Sequence, residues 1–329
     1  MPLSKTSGCS SSLPPTVTMV THLDMGRFWM LPILCGRWEG PMVAVVYDPE
    51  GKDGLWLDEG NMAKKVGEKC GPGTRVVRFP QAGGGEGAYP VNKLRNLGLR
   101  EVKTTHYLMV DVDFVPSKGM EGVILEELRK GKESGWDDYY DHTALVVPAF
   151  ERVGDPCSTG VECLSRFESG GYIPGDMDEL RGMYKSGEVR VFQVTDNPTG
   201  HSTTDVEAFL GGEGEGSSKI RCFESNRYEP YLVIPWCPSS TPMYDERFSG
   251  YGKNKISNVF QLRHMNYDFR VLDGAYLTHL PHPVSKDKAK WEKRGSKAHE
   301  EMDRLYISFT RDVKRKFGMT PRVRLCEFM

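Results

Sequence analysis

Nowhere does this 329-residue chain hold an unbroken apolar run of the roughly 18 residues that a membrane-spanning helix needs. Its first residues, Met1-Pro2-Leu3-Ser4-Lys5-Thr6-Ser7-Gly8-Cys9, lack the apolar core of a signal peptide. These two absences predict a soluble chain with no membrane span. A charge excess is missing too: 43 basic and 45 acidic residues leave a net charge of -2, which offers no broad electrostatic surface to nucleic acid. No nucleic-acid partner is therefore expected. The eight cysteines form no Cys-x-x-Cys pair, which argues against a zinc ribbon. Cys157 and Cys163 are the easiest pair to close, and the pairing of the others stays open. There is no Asn-x-Ser/Thr sequon, because Pro198 blocks Asn197-Pro198-Thr199. The glycine run at 83–87 lacks both the Lys-Ser/Thr end of a P-loop and the spacing of a dinucleotide fingerprint, so it reads as a surface loop.

What is present is ordinary globular composition, 38% hydrophobic and 27% charged, long enough for a large α/β domain. Residues 1–15, rich in Ser, Pro and Gly, read as a disordered lead, and 16–329 as one continuous domain with a low-complexity insertion near 211–218. Thr16–Thr21 is β-branched. Met25–Trp38 carries apolar residues at helical spacing behind Asp24, a candidate N-cap, and Pro41–Tyr47 is a second buried strand. Strand, helix and strand at this spacing predict a βαβ unit and a parallel sheet. Further strands are expected at Arg75–Phe79, Tyr107–Val110, His142–Phe150, Tyr231–Ile234, Phe269–Leu272 and Ala275–Thr278. Helices are expected from Tyr89, over Gly122–Lys130, and through the amphipathic series Met302, Leu305, Tyr306, Phe309, Val313 and Phe317.

Asp111-Val112-Asp113 ends the apolar run Tyr107–Val110. On a strand, residues i and i+2 face the same side, so both carboxylates can meet one cation. Hard divalent ions favour oxygen ligands and bridge to diphosphates. Such a pair suits the metal-diphosphate handle of a nucleotide-sugar transferase; the plain alternative is a solvated strand end.

Four segments resemble glycosyltransferase family 49, which includes the glucuronyltransferase domain of LARGE-type enzymes and the β-1,4-glucuronyltransferase of O-mannosyl glycan assembly. They are Val17–Thr21 with Arg37–Pro41; Tyr89–Asn96; Asp111–Pro116 with Val146–Glu151; and Tyr228–Tyr231, Tyr244–Lys255 and His279–His282. The resemblance implies a GT-A type α/β fold, a single domain with a mixed, mainly parallel central sheet. It implies a metal-dependent inverting transferase that uses a UDP-sugar, UDP-glucuronate above others, with Mn2+ or Mg2+ and a glycan or glycoprotein acceptor. It also implies a Golgi lumen address, whereas the sequence without it would suggest a soluble, cytoplasmic protein. A transferase of another specificity (xylose, N-acetylglucosamine, glucose), or a catalytically silent glycan- or nucleotide-binding protein, are the alternatives.

Residue by residue, the resemblance places the metal on Asp111, Asp113 and His279, with His282 as the alternative to His279. Donor-binding candidates are Thr21 and His22 at the end of the first strand, Arg27, Asn92, Arg95, Asn96, Asp111, Asp113, Gly252, Asn254 and Lys255. An arginine pairs bidentately with phosphate, and a cation at Lys255 would favour glucuronate. The usual base position of other inverting families is occupied by Asn254. Asp245 is therefore the expected general base and Glu246 its neighbour; the plain reading is a helix N-terminal acid.

Overall fold

The structure, a computed structural model, describes residues 13–48, 69–80, 88–134, 142–154, 157, 160–212, 216–282, 288, 289, 291, 293 and 297–327. Most of the expected disordered lead, the 83–87 glycine run and positions 213–215 of the low-complexity stretch lie outside the described residues.

In chain order the strands are β1 (Val17–Asp24), β2 (Met42–Asp48), β3 (Thr74–Pro80), β4 (His106–Met109), β5 (Phe114–Pro116), β6 (Thr143–Val147), β7 (Ala149–Arg152), β8 (Val189–Val191), β9 (Ser218–Lys219), β10 (Cys222–Phe223), β11 (Tyr231–Pro235), β12 (Asp268–Val271), β13 (Leu277–His279) and β14 (Arg324–Leu325). The main sheet runs β3-β2-β1-β4-β11-β6-β12-β9. It is parallel from β3 to β4 and between β6 and β12, and antiparallel where β11 enters between β4 and β6 and where β9 caps β12. This is the mixed, mainly parallel α/β sheet of a GT-A fold. A smaller sheet, β5-β13-β7-β8, lies beyond the end of β4.

The two-residue period of a strand explains the burial. In β2, Met42, Ala44 and Val46 enter the core on one face, and Val43, Val45 and Tyr47 that on the other. The helix Val91–Arg100 covers the second face with Leu94 and Leu99. It approaches closely because residue 98 is glycine: a Cβ there would come within 2.5 Å of Val20 Cγ1 and 3.2 Å of Val45 Cγ2. Gly98→Ala is expected to destabilise the fold, since overpacking costs about 1–3 kcal/mol against a helix-propensity gain of about 1 kcal/mol. Urea unfolding measures this, and an unchanged midpoint would show that the helix lifts off the sheet without cost.

Several expectations change. Met25–Trp38 is not one helix. Asp24 does cap it, its Oδ1 accepting from the Arg27 amide at 3.1 Å, but a 3-10 helix over Met25–Met30 gives way to a short α-helix, Leu31–Cys35. Pro32 opens this second helix, where a missing N–H is tolerated. The expected strand His142–Phe150 divides at Pro148 into β6 and β7, which belong to different sheets, since proline brings no N–H to a ladder. The first strand runs to Asp24 rather than ending near Thr21 and His22.

Disulfides join Cys35 to Cys70, Cys157 to Cys163 and Cys222 to Cys326. The last closes 104 residues of sequence and ties the chain's end to β10.

Candidate active site

β4 stops at Met109, two residues before Asp111, and the chain then turns, with the Phe114 amide donating to the Asp111 carbonyl at 3.0 Å. The two carboxylates therefore lie in a turn and not on a strand. They do not share one face: Asp111 points to the Val91–Arg100 helix and β11, and Asp113 to the end of β13.

Asp111 sits among cations. Arg95 Nη2 donates to its Oδ1 at 3.0 Å, and His22 Nε2 lies 3.5 Å from the same oxygen. The Tyr231 hydroxyl and Lys255 Nζ donate to its Oδ2 at 2.9 and 3.2 Å. Burial alone would raise this carboxyl, but the Lys255 ammonium, the nearby His22 ring and the Arg95 guanidinium hold it well below the usual range. Arg95 is itself buried and is fixed by Asn92 Oδ1 at 3.0 Å and Asn254 Oδ1 at 2.8 Å.

Asp113 has different company. Its Oδ2 accepts from Arg27 Nη1 at 2.7 Å, and His282 Nε2 and His279 Nε2 lie 2.8 and 3.8 Å away. The two Nε2 atoms face each other at 3.3 Å. Burial would raise the Asp113 carboxyl; the His282 hydrogen bond and Arg27 hold it below its ordinary value. Burial also lowers His279 to about 4, so its ring is neutral at pH 7, the form that ligates metals. The ligand atoms of Asp113, His279 and His282 all lie within 4.8 Å of one another. Asp113 Oδ1 is buried without a hydrogen-bond partner, as is Thr21 Oγ1. One carboxylate and two imidazoles converging beside an unsatisfied carboxylate oxygen fit a divalent cation.

The small sheet builds this cluster. His279 pairs across the ladder with Phe114, the residue after Asp113, and the Leu280 amide donates to the Asp113 carbonyl at 2.8 Å. His279 and His282 thus lie together at Asp113, while Asp111 stands outside the cluster.

Other expected residues are placed differently. Asn92 and Asn96 are fully buried and hold the 244–246 segment: Asn92 Nδ2 donates to the Asp245 carbonyl at 2.8 Å, and Asn96 exchanges bonds with the Tyr244 backbone at 2.9 Å each way. The Asp245 carboxylate is occupied by the Arg247 guanidinium; burial would raise it, but those bonds hold it below its usual value, which weakens a base. Glu246 accepts from Asn96 at 2.9 Å and lies 3.6 Å from Arg100. Neither acid turns its carboxylate to Asp111 or Asp113. Gly252, at φ 87°, has its α-carbon against Trp291, where a Cβ would come within 2.4 Å of the indole, so the close approach it permits is to that ring.

A family model described as "Glycosyl-transferase for dystroglycan" matches residues 60–318. The chain belongs to that family. Xylosyl- and glucuronyltransferase LARGE2 of Mus musculus is 31% identical over 308 residues, 93% of this chain and 40% of its own length. Xylosyl- and glucuronyltransferase LARGE1 of Homo sapiens is 29% identical over 304 residues, 92% of this chain and 36% of its own. The chain thus spans about two fifths of the length of the curated relatives it matches. The solved structure of S. aureus TarS overlaps 93% of this chain and 44% of its own at 12% identity, with a TM-score of 0.47.

Two further residues join the cluster around Asp111. The Tyr231 hydroxyl bridges Asp111 and Lys255, at 2.9 and 3.1 Å. Tyr89 donates or accepts at His22 Nδ1, 3.0 Å away. Both lie in the segments that carry the family resemblance, so the signal was present without a role attached.

Proposed function

We propose that this chain transfers glucuronate from UDP-glucuronate to a glycan hydroxyl with inversion and with a divalent cation. The observation that carries the reading is the Asp113–His279–His282 cluster set beside Arg27, Arg95 and Lys255. These three fixed cations favour a donor with anionic groups. Glucuronate adds a carboxylate to the diphosphate, and Lys255, half-buried above the Tyr231 ring, is the cation offered to it.

Asp113, His279 and His282 would hold the cation. Two imidazoles with a carboxylate suit Mn2+ better than Mg2+, which favours oxygen ligands in an octahedral shell. When bound, the ion offsets charge gathering on the departing diphosphate. Arg27 would orient that diphosphate and the buried Arg95 would add positive charge behind it, and His22 and Thr21 lie in the C-terminal part of β1, where open α/β sheets take nucleotides. A Golgi lumen address is supported by the family resemblance and by the disulfides, which persist in oxidising compartments. No described helix is long and apolar enough to cross a membrane.

The test is UDP release with UDP-glucuronate, UDP-xylose, UDP-N-acetylglucosamine and UDP-glucose, using p-nitrophenyl glycosides as acceptors. UDP-glucuronate is expected to be used fastest, with activity lost in EDTA and restored by Mn2+. Lys255→Ala is expected to lower UDP-glucuronate turnover more than UDP affinity. Faster use of another UDP-sugar overturns the donor assignment, and full activity in EDTA overturns the cation.

A further inference from the structure

Arg247, Asn96 and Arg100 hold the carboxylates of Asp245 and Glu246, and another acid, Glu229, lies near Asp111 and Lys255. β11 runs antiparallel to β4, with Pro235 opposite His106 and Val233 opposite Leu108, so β11 begins where β4 ends, beside Asp111. Glu229 lies two residues before Tyr231, whose hydroxyl is bonded to Asp111. It is half-buried and held from the side away from the β1–β3 half of the sheet: its amide donates to the Gly200 carbonyl at 2.9 Å, and Asn197 Nδ2 donates to its Oε1 at 2.9 Å. The segment that holds it also borders the metal cluster, because Phe192 packs on Phe114 and on His279, with ring centroids 4.7 and 5.1 Å apart.

Among the described residues Glu229 makes no ion pair. Lys255, Asp111, Arg95 and Tyr231 lie within electrostatic reach of its carboxylate. His201, one residue past Gly200, is buried and neutral. Burial lifts the Glu229 carboxyl above the ordinary range, while Lys255 and the Asn197 hydrogen bond draw it partly back. A carboxylate raised in this way is a stronger proton acceptor than the Arg247-paired Asp245.

We propose that Glu229 is the general base of the transfer, an inference that rests on the transferase reading above. The acceptor oxygen forms its bond to the anomeric carbon of the donor sugar. The bond from that carbon to the diphosphate breaks with its electron pair leaving on UDP, and the acceptor's hydroxyl proton passes to the Glu229 carboxylate. The position suits the role: Glu229 is anchored by the 192–201 segment, across the Asp-x-Asp turn from the strands expected to take the nucleotide.

The experiment measures kcat against pH at saturating UDP-sugar and p-nitrophenyl glycoside, with UDP affinity from calorimetry in Mn2+. Glu229→Gln is expected to lower kcat by about 100-fold or more, to remove the acidic limb of the profile, and to leave UDP affinity unchanged. Glu229→Asp is expected to keep part of the rate, and Asp245→Asn most of it. Asn197→Ala removes a bond that favours the charged carboxylate, so its acidic limb should move to higher pH. This second variant reports on the same group if Glu229→Gln does not fold. Near-native kcat in Glu229→Gln, or an acidic limb unmoved by Asn197→Ala, overturns the base assignment while the transferase reading stands. A native protein that releases UDP from no UDP-sugar overturns that reading and the base with it.

Discussion

Asp113→Asn is expected to abolish metal-dependent UDP binding. The substitution keeps the shape of the side chain but removes the charge at the centre of the Asp113–His279–His282 cluster, leaving two imidazoles facing each other at 3.3 Å with no anion between them and Arg27. Loss of an outer partner of a metal ligand typically weakens binding about 10–100-fold, and the loss of a ligand itself should exceed the upper end. Calorimetry with UDP and Mn2+ measures it. Asp111→Asn is the control that separates the two carboxylates. Its charge is taken by Arg95 and Lys255, so Mn2+ binding should suffer much less than in Asp113→Asn. Equal losses would mean that Asp111 swings from its cations onto the metal, and unchanged binding in Asp113→Asn would remove the cluster as the metal site.

The second large effect concerns stability. Arg95→Met is expected to cost about 3–5 kcal/mol, the usual consequence of breaking a buried pair from one side. Arg95 is 2% exposed, and its guanidinium satisfies Asn92, Asn254 and Asp111 at once, so its loss takes a donor from two amide oxygens and a cation from Asp111. Combining Arg95→Met with Asp111→Asn removes both charges and should recover part of the loss; the difference in a double-mutant cycle reports the coupling. Additive losses would show that Arg95 stabilises through packing on the Tyr244 ring rather than through Asp111.

The sequence by itself determined the layout. Alternating or continuous apolar runs placed β2, β4 and β11 close to where they lie, because a strand's burial follows its two-residue period and depends little on distant contacts. The spacing of Met302, Leu305, Tyr306, Phe309, Val313 and Phe317 likewise marked the helix Lys297–Phe317, whose Phe309 and Val313 are buried against Phe248 and Phe260. Local proline chemistry was written in the chain as well, but its effect at Pro148 was to send the two halves of one apolar run into different sheets, an outcome that depends on what each half finds to pair with.

Which side chains come together around each of the two carboxylates was decided only by the tertiary structure. Asp111 and Asp113 look equivalent as Asp-x-Asp; they differ because a turn sends one carboxylate to Arg95 and Lys255 and the other to a histidine pair 166 and 169 positions further along the chain. His279 and His282 looked like alternatives because spacing carries no information about which ring faces Asp113. The ladder that pairs His279 with Phe114 settles the position of the first, and both Nε2 atoms then meet Asp113 Oδ2. Asp245 and Glu246 stand in the expected segment, yet Arg247, Asn96 and Arg100 occupy their carboxylates, while Glu229, unremarkable among 45 acidic residues, is left without an ion pair among the described residues. Periodicity and residue type report the burial of a segment on its own neighbours. The charge state and orientation of a side chain depend on groups that folding brings in from elsewhere, over distances in sequence that no local pattern spans.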